Sequence, residues 1–331
     1  MSWIDQDAGE VVLSTRIRVS RNLKDEKFGP LSAETLENMK ERLKVRKGTW
    51  STWELRRPGD LESLEKQILS ERGQLEPEFA LQSKGYLAVS PAGDQTLSLG
   101  DGDHLRLGII SGGESLEKSY QGIFETLCTL EELFPPAFDR ELGYLRADPR
   151  QCGTGMKPSV LVHLPASELG GMITEVFKQA ESQGYSVRGL WDSEEEGPAL
   201  YQISPYFSTG SSEEGSLGQL TYFTEKIISW ETKARELLMD QQSTRVADLC
   251  GRAYGILLHC SRLGITEALT LISRLRLGII VGIIKSVPLQ SLTSLWYTIQ
   301  KGHLRSGFPE DGATEEDILR ARLVKNRLMG Q

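Results

Sequence analysis

The sequence predicts an α+β chain: a mainly antiparallel sheet flanked by helices, followed by an all-helical C-terminal domain. Strand-like runs outnumber helices over the first two thirds without strict βαβ alternation, which disfavours a doubly wound parallel sheet. From about residue 216 the pattern turns almost entirely helical; Val246, Leu249, Ala253, Ile256, Leu257 and Cys260 follow the spacing of one buried helix face. A length of 331 residues suits two domains, or one large domain with an appendage. The boundary is placed near residue 234, inside a long connecting helix, giving domains at 11–234 and 235–331.

In chain order, Val11, Val12 and Leu13 form an apolar run that opens a strand through Ser14–Asn22. Residues 31–48 read as a helix after Pro30, with Leu31, Leu36, Met39 and Leu43 on one side, and 60–70 as a second, short one. Strands are expected at 85–89, 95–99 and 104–110, separated by the turn residues Pro91-Ala-Gly-Asp and Gly100-Asp-Gly-Asp. Residues 116–134 form an amphipathic helix stopped by Pro135-Pro136. Strands at 142–146 and 159–163, a helix at 167–183, and strands at 186–191 and 199–203 complete the first part. Thr266, Pro288 and Thr314 punctuate the later helices, and Thr314 with Asp317 reads as a capping box with Asp in place of Glu.

Composition excludes several classes. A net charge of −8 argues against non-specific nucleic-acid binding, so basic clusters act locally. Cys128, Cys152, Cys250 and Cys260 form no C-x-x-C pair, which disfavours a disulfide framework or a zinc site. The start, Met-Ser-Trp-Ile-Asp-Gln-Asp, has no secretory pattern, and the longest apolar run, Leu277–Ile284, is too short to span a bilayer. A soluble cytoplasmic protein is expected.

Five segments carry candidate chemistry. In Ser14-Thr15-Arg16-Ile17-Arg18-Val19-Ser20-Arg21-Asn22, strand alternation turns Arg16 and Arg18 to one face. Two guanidinium forks on one face suit phosphate oxygens or several carboxylates. The others are Gly100-Asp101-Gly102-Asp103-His104-Leu105-Arg106, Cys152-Gly153-Thr154-Gly155-Met156-Lys157-Pro158-Ser159, Arg188–Gly197, and Glu316-Asp317-Ile318-Leu319-Arg320-Ala321. The glycine turn at 153–155 offers backbone N–H groups to an anion but lacks P-loop spacing. Asp101 and Asp103 read as a solvated turn or as site carboxylates, Glu194–Glu196 as a surface run or a loop at the site, and His104 as a structural hydrogen-bonder.

In this order the five segments resemble the ATP:guanidino phosphotransferases, the phosphagen kinases, and most closely their bacterial protein-arginine kinase branch. That family carries S-[ST]-R-[IV]-R-x-x-R-N, then N-E-E-D-H-[IL]-R, G-T-G-[LM]-[RK] and an R-G-x-x-G-E-G loop. Its arginine-kinase branch adds a helical domain with R-D-x-x-R-A. The apolar runs Ser159–Ala166 and Arg276–Lys285 are also similar, and the resemblance spans roughly residues 10–330. It implies a guanidino-kinase catalytic core that binds ATP with Mg2+, the metal carried by the nucleotide. The implied nucleotide-binding positions are Ser14, Thr15, Arg16, Ile17, Arg18, Gln67, Arg106, Lys157, Pro158, Ser159, Val160, Leu161, Arg188, Gly189, Leu190, Trp191, Asp192 and Ser193. Glu316, Asp317, Arg320 and Ala321 match the phosphoarginine-reading motif. The implied partners are protein substrates bearing arginine, a zinc-binding activator, an AAA+ chaperone–protease and a second copy of the chain.

Departures fall where the acceptor is handled. A guanidinium stays protonated up to a pKa above about 12, so the family holds it with carboxylates that accept its proton. Here the second glutamate of N-E-E-D is Gly102, the cysteine five residues ahead of G-T-G is Asp148, and the histidine of an E-K-H segment is Gln67. The glycine-and-glutamate loop is rewritten as Asp192-Ser193-Glu194-Glu195-Glu196, and the first arginine of R-D-x-x-R-A is Glu316. Two readings follow. In one, Asp101 or Asp103, helped by Glu194 and Glu195, replaces the base of an active protein-arginine kinase. In the other, the chain is a pseudokinase that binds nucleotide or partners and regulates protein quality control.

Overall fold

The computed structural model describes residues 4, 8–46, 48–113, 115–191, 197–312 and 314–330. Its elements run β1 (Val12–Arg21), α1 (Ala33–Val45), α2 (Ser63–Glu71), α3 (Pro77–Ala80), β2 (Tyr86–Val89), β3 (Gln95–Asp101), β4 (Asp103–Gly112) and α4 (Leu116–Leu133). They continue with β5 (Phe138–Asp139), β6 (Gly143–Tyr144), β7 (Met156–His163), α5 (Pro165–Leu169), α6 (Ile173–Ser182), β8 (Tyr185–Gly189) and β9 (Leu200–Pro205). Helices close the chain: α7 (Glu213–His259), α8 (Ile265–Ile280), α9 (Gln290–Thr293), α10 (Leu295–Thr298), α11 (Lys301–Gly307) and α12 (Glu316–Leu328). The expected class, a mainly antiparallel sheet with helices and a helical C-terminal region, is the one observed.

The chain divides into two compact units. One gathers Met1–Gln6, Thr15–Ser159 and Ser204–Tyr222; the other gathers Asp7–Ser14, Val160–Ile203 and Phe223–Gln331. Residue 234 lies within α7.

In the first unit the strand order is β2-β3-β4-β1-β7. β2, β3 and β4 form an antiparallel meander in which Ser98 faces Arg106 and Asp101 faces Asp103. β1 owes its strand to alternation: Thr15, Ile17 and Val19 are buried, while Arg16 and Arg18 are half-buried on the other face. α4 starts at Ser115, whose hydroxyl accepts the Lys118 N–H at 3.2 Å. It buries Leu116, Tyr120, Ile123, Leu127 and Leu130 at helical spacing. A second cluster, Leu61, Leu69, Leu75, Phe79 and Leu87, packs α2, α3 and β2 together. Arg21, 2% exposed, ties three elements: it donates to Glu131 of α4 at 2.6 Å, to Thr154 O at 3.0 Å and to Glu213 of α7 at 3.3 Å. Its guanidinium also lies 3.5 Å over the Tyr144 ring.

In the second unit the order is β1-β7-β9-β8. Glu231 of α7, fully buried, accepts from the Ala166 and Ser167 N–H groups at 2.9 Å each and so caps α5 with a carboxylate. His163 is buried neutral. Arg276 Nη1 donates to its Nδ1 at 3.0 Å, so Nε2 carries the proton and donates to Ser273 Oγ at 2.8 Å. Burial first, and then Arg276 and Arg235, push that imidazole well below its ordinary pKa. α7 departs from helical geometry at Gln242, where φ is −138° and ψ is 27°.

Some local expectations differ. The run at 142–146 is a strand only over Gly143–Tyr144, because Leu145 turns to bond Ala137 O at 2.9 Å and Arg146 reaches away to an acidic partner. The single helix expected at 167–183 is two, parted at Gly170-Gly171, where Gly171 takes φ +71°. Thr314 caps nothing: the N-cap of α12 is Glu315, so the T-x-x-D pattern sits one residue too early. Thr266 lies inside α8, whose N-cap is Gly264.

Candidate active site

The site is built on the β1–β4 face of the first unit. Arg16 and Arg18 turn to the same side, as alternation requires. Arg18 Nη1 donates to Glu76 Oε1 at 2.7 Å, and Arg16 Nη2 donates to the same oxygen at 3.1 Å and to Gly73 O at 2.7 Å. Arg106 of β4 adds a third guanidinium, held by Asp101 Oδ2 at 2.7 Å across the β3–β4 hairpin. Burial, followed by repulsion from Arg18, pushes the Arg16 guanidinium down to about 9 against the pull of Glu76. Three cations gathered in a partly desolvated recess suit a polyanion.

The hairpin turn depends on glycine. Gly100 and Gly102 adopt φ +77° and +67°, where a side chain strains the backbone. Asp101 and Asp103 are 6% and 4% exposed, so neither is a solvated turn residue. Burial raises the Asp101 carboxyl above its ordinary value despite Arg106. Asp103 is engaged on all sides: Asn22 Nδ2 donates at 2.9 Å, Arg146 Nε at 2.9 Å and the Ala147 N–H at 3.2 Å. Burial pushes Asp103 up as well, but Arg146 and these donors outweigh it and hold the carboxyl below its usual range. His104 behaves as the sequence suggests. Its Nδ1 accepts the Leu23 N–H at 2.9 Å, and Nε2 lies 3.1 Å from Lys27 O.

In the glycine turn at 153–155, the Gly153 and Thr154 amides, and that of Met156 after it, are spent internally. The Gly153 N–H donates to Tyr144 O at 3.3 Å, the Thr154 N–H to Ser208 O at 3.2 Å, and the Met156 N–H to Thr154 Oγ1 at 3.2 Å. A Cβ on Gly153 would lie 2.3 Å from Ser208 O, so this glycine serves close backbone approach rather than an exposed anion nest.

The remaining expected positions scatter in role. Thr15 and Ile17 face away from the arginines into packing, with Thr15 Oγ1 3.3 Å from Ser119 Oγ. Gln67 is half-buried on α2. Lys157, Pro158 and Ser159 lie on β7 in the first unit. Ser14, Val160, Leu161, Arg188, Gly189, Leu190 and Trp191 belong to the second. Trp191 there holds φ +60° and meets Tyr297 edge-on at 5.8 Å between ring centroids. Asp192, Ser193, Glu194 and Glu195 lie outside the described residues. On α12, Arg320 is buried and donates to Leu263 O at 2.8 Å, Asp317 at 2.7 Å and Ile299 O at 3.1 Å, while Ala321 is buried. Glu316 pairs with Lys301 at 3.4 Å and Arg305 at 3.5 Å. Sequence reasoning missed Glu76 and the partnership of Asn22 and Arg146 with Asp103.

Comparisons with known proteins bear on the family and the fold. A family model described as ATP:guanido phosphotransferase, C-terminal catalytic domain, matches residues 34–234; one described as the protein-arginine kinase McsB C-terminal domain matches residues 243–331. The protein-arginine kinase of Halothermothrix orenii is 34% identical over 327 residues, covering 96% of this chain and 93% of that protein. That of Syntrophomonas wolfei is 30% identical over a 343-residue alignment, covering 99% and 95%. Among solved structures, the duplicated taurocyamine kinase of Schistosoma mansoni with bound transition-state-analogue components gives a TM-score of 0.61 at 20% identity, over 73% of this chain and 37% of that one. A lombricine kinase gives 0.57 at 18%, over 69% and 68%. At such identities the structural likeness speaks to the fold.

Proposed function

The chain belongs to the ATP:guanido phosphotransferase family, in its protein-arginine kinase branch, and on that premise we propose that it binds ATP and transfers the γ-phosphate to guanidino groups of protein arginine through a degenerate acceptor site. The observation that carries the nucleotide half is the convergence of Arg16, Arg18 and Arg106. Phosphoryl transfer needs positive charge around oxygens that grow more negative in the transition state, and fixed guanidiniums supply it without reorganisation. Magnesium carried by the nucleotide would neutralise the remainder.

The acceptor must give up a proton from a guanidinium with a pKa above about 12. Of the two described candidates, Asp101 suits proton acceptance better than Asp103: its carboxyl is raised and, among the described residues, pairs with Arg106 alone, whereas Asp103 is committed to Asn22, Arg146 and Ala147. The pseudokinase reading has its own support in Gly102, whose φ of +67° puts the position of the family's glutamate in a backbone conformation that glutamate disfavours. Under either reading, residues 11–234 form the catalytic and nucleotide-binding domain and 235–331 the helical, dimer-forming domain. A cytoplasmic setting, a zinc-binding activator and an AAA+ chaperone–protease as partners belong to the same proposal. Among the described residues no helix is long and apolar enough to cross a membrane.

Calorimetry with ATP and magnesium tests the nucleotide half. Arg18→Ala or Arg106→Ala is expected to weaken binding by about 1.5–3 kcal/mol, roughly 10- to 150-fold, for the loss of a charge-assisted contact. A wild type that binds no nucleotide, or mutants that bind as tightly as it does, would overturn this half.

The helical domain is expected to bind free phosphoarginine poorly. Glu316 already answers Lys301 and Arg305 with a carboxylate, and an incoming phosphate meets that like charge. A titration giving micromolar affinity would show that reading to be mistaken.

A further inference from the structure

The guanidiniums of Arg16 and Arg18 converge on a single atom. Glu76 Oε1 lies 3.1 Å from Arg16 Nη2 and 2.7 Å from Arg18 Nη1. Both arginine side chains are only 22% exposed, and Glu76 is 33% exposed. Burial pushes the Glu76 carboxyl up, yet Arg16, Arg18 and Arg106 outweigh it and keep the carboxyl below its ordinary range. Asp101 is taken by Arg106, so Glu76 is the carboxylate that answers the Arg16–Arg18 pair. It hangs from the short connection between α2 and α3, beside Gly73 at φ +68° and just ahead of Pro77. A charge placed between two phosphate-type forks is a phosphate-like charge in position.

We infer that Glu76 is a resident anion of this site, holding the place of a ligand phosphate between Arg16 and Arg18, and that a polyphosphate binds by displacing it. This rests on the nucleotide reading given above. No covalent bond changes: the carboxylate keeps its charge and turns to water while phosphate oxygens take its two donors. Because a charge-assisted pair has to be broken first, the exchange favours a ligand with enough charge to engage Arg106 as well. Glu76 thereby sets a threshold that a polyphosphate passes and a lone phosphate does not.

Calorimetry and thermal melts on the full chain test this, with inorganic tripolyphosphate and magnesium–ADP as probes. Glu76→Gln is expected to bind tripolyphosphate about tenfold tighter or more than wild type, since the two charge-assisted contacts to Arg16 and Arg18 become weaker neutral ones before they have to be broken. Without ligand the variant melts lower, because two adjacent guanidiniums lose their anion; with tripolyphosphate its melting point rises by more than that of wild type. A purely structural Glu76 would lower the melt without tightening the ligand. Should Glu76→Gln fail to fold, Glu76→Asp, with a shorter reach and the same charge, carries the test: tighter binding than wild type supports the inference and unchanged binding overturns it. Wild type and Glu76→Gln binding both probes equally well would remove the resident anion and leave the nucleotide reading standing. Failure of both proteins to bind either probe would remove both.

Discussion

Gly102→Glu is expected to raise arginine phosphorylation about 10²- to 10⁴-fold where Gly102 marks a true loss of the base and no other carboxylate has taken its place, the usual contribution of a positioned general base. The hairpin has room for a Cβ: the nearest atom to one built at Gly102 is Arg106 Nη2, at 3.9 Å. Backbone strain opposes it. At φ +67° a non-glycine residue costs about 1–2 kcal/mol, so the variant should be less stable than wild type yet folded. Phosphoarginine-specific mass spectrometry with ATP, magnesium and an arginine-rich protein reads the result. If wild type already transfers phosphate, Asp101→Asn should abolish the activity, since Asp101 is then the working base. If Gly102→Glu binds ATP normally and transfers nothing, a single missing carboxylate is not the lesion, and the regulatory reading prevails.

Asp103→Ala is expected to destabilise the protein by about 3–5 kcal/mol, the loss typical of removing one partner from a buried ion pair. The carboxylate accepts from Arg146, Asn22 and the Ala147 N–H, and the Arg146 side chain is itself only 9% exposed, so truncation strands a buried charge and two further donors. Asp103→Asn, which keeps the shape and one acceptor, should lose less. The pH dependence has a definite sign. Asp103 titrates lower in the folded protein than its unfolded value of about 3.9, so its contribution is complete above that pH and is lost as pH falls through the folded value. The stability gap between wild type and Asp103→Asn should therefore narrow below about pH 4 in denaturant unfolding. A loss under about 1 kcal/mol for Asp103→Ala at neutral pH would show that Arg146 finds another partner.

What could be read from sequence follows the range of the interactions involved. β1, α1 and α4 were legible because their burial follows short periods, and the pairing of Arg16 with Arg18 on one face is alternation alone. The acidic hairpin stays open between a solvated turn and site carboxylates in the sequence because D-G-D between glycines is local turn chemistry, while the partner that buries Asp103 lies 43 residues onward. Glu76 left no trace: a glutamate before a proline marks a helix start, and nothing in its neighbours announces two arginines some 60 residues earlier. The cap at Thr314 failed by one residue, which is the usual scale of uncertainty at helix ends.

β1 divides its labour between its two sides. Thr15, Ile17 and Arg21 are locked into α4, the glycine turn and the start of α7, whereas Arg16 and Arg18 look outward toward Glu76. Amino-acid changes on the Arg16–Arg18 side disturb the contacts to Glu76 and Gly73, whereas changes on the inward side reach the contacts to α4, the glycine turn and the start of α7. One strand thus carries two selective demands, ligand charge on one face and scaffold integrity on the other, and its chemistry can drift on a different clock from its architecture.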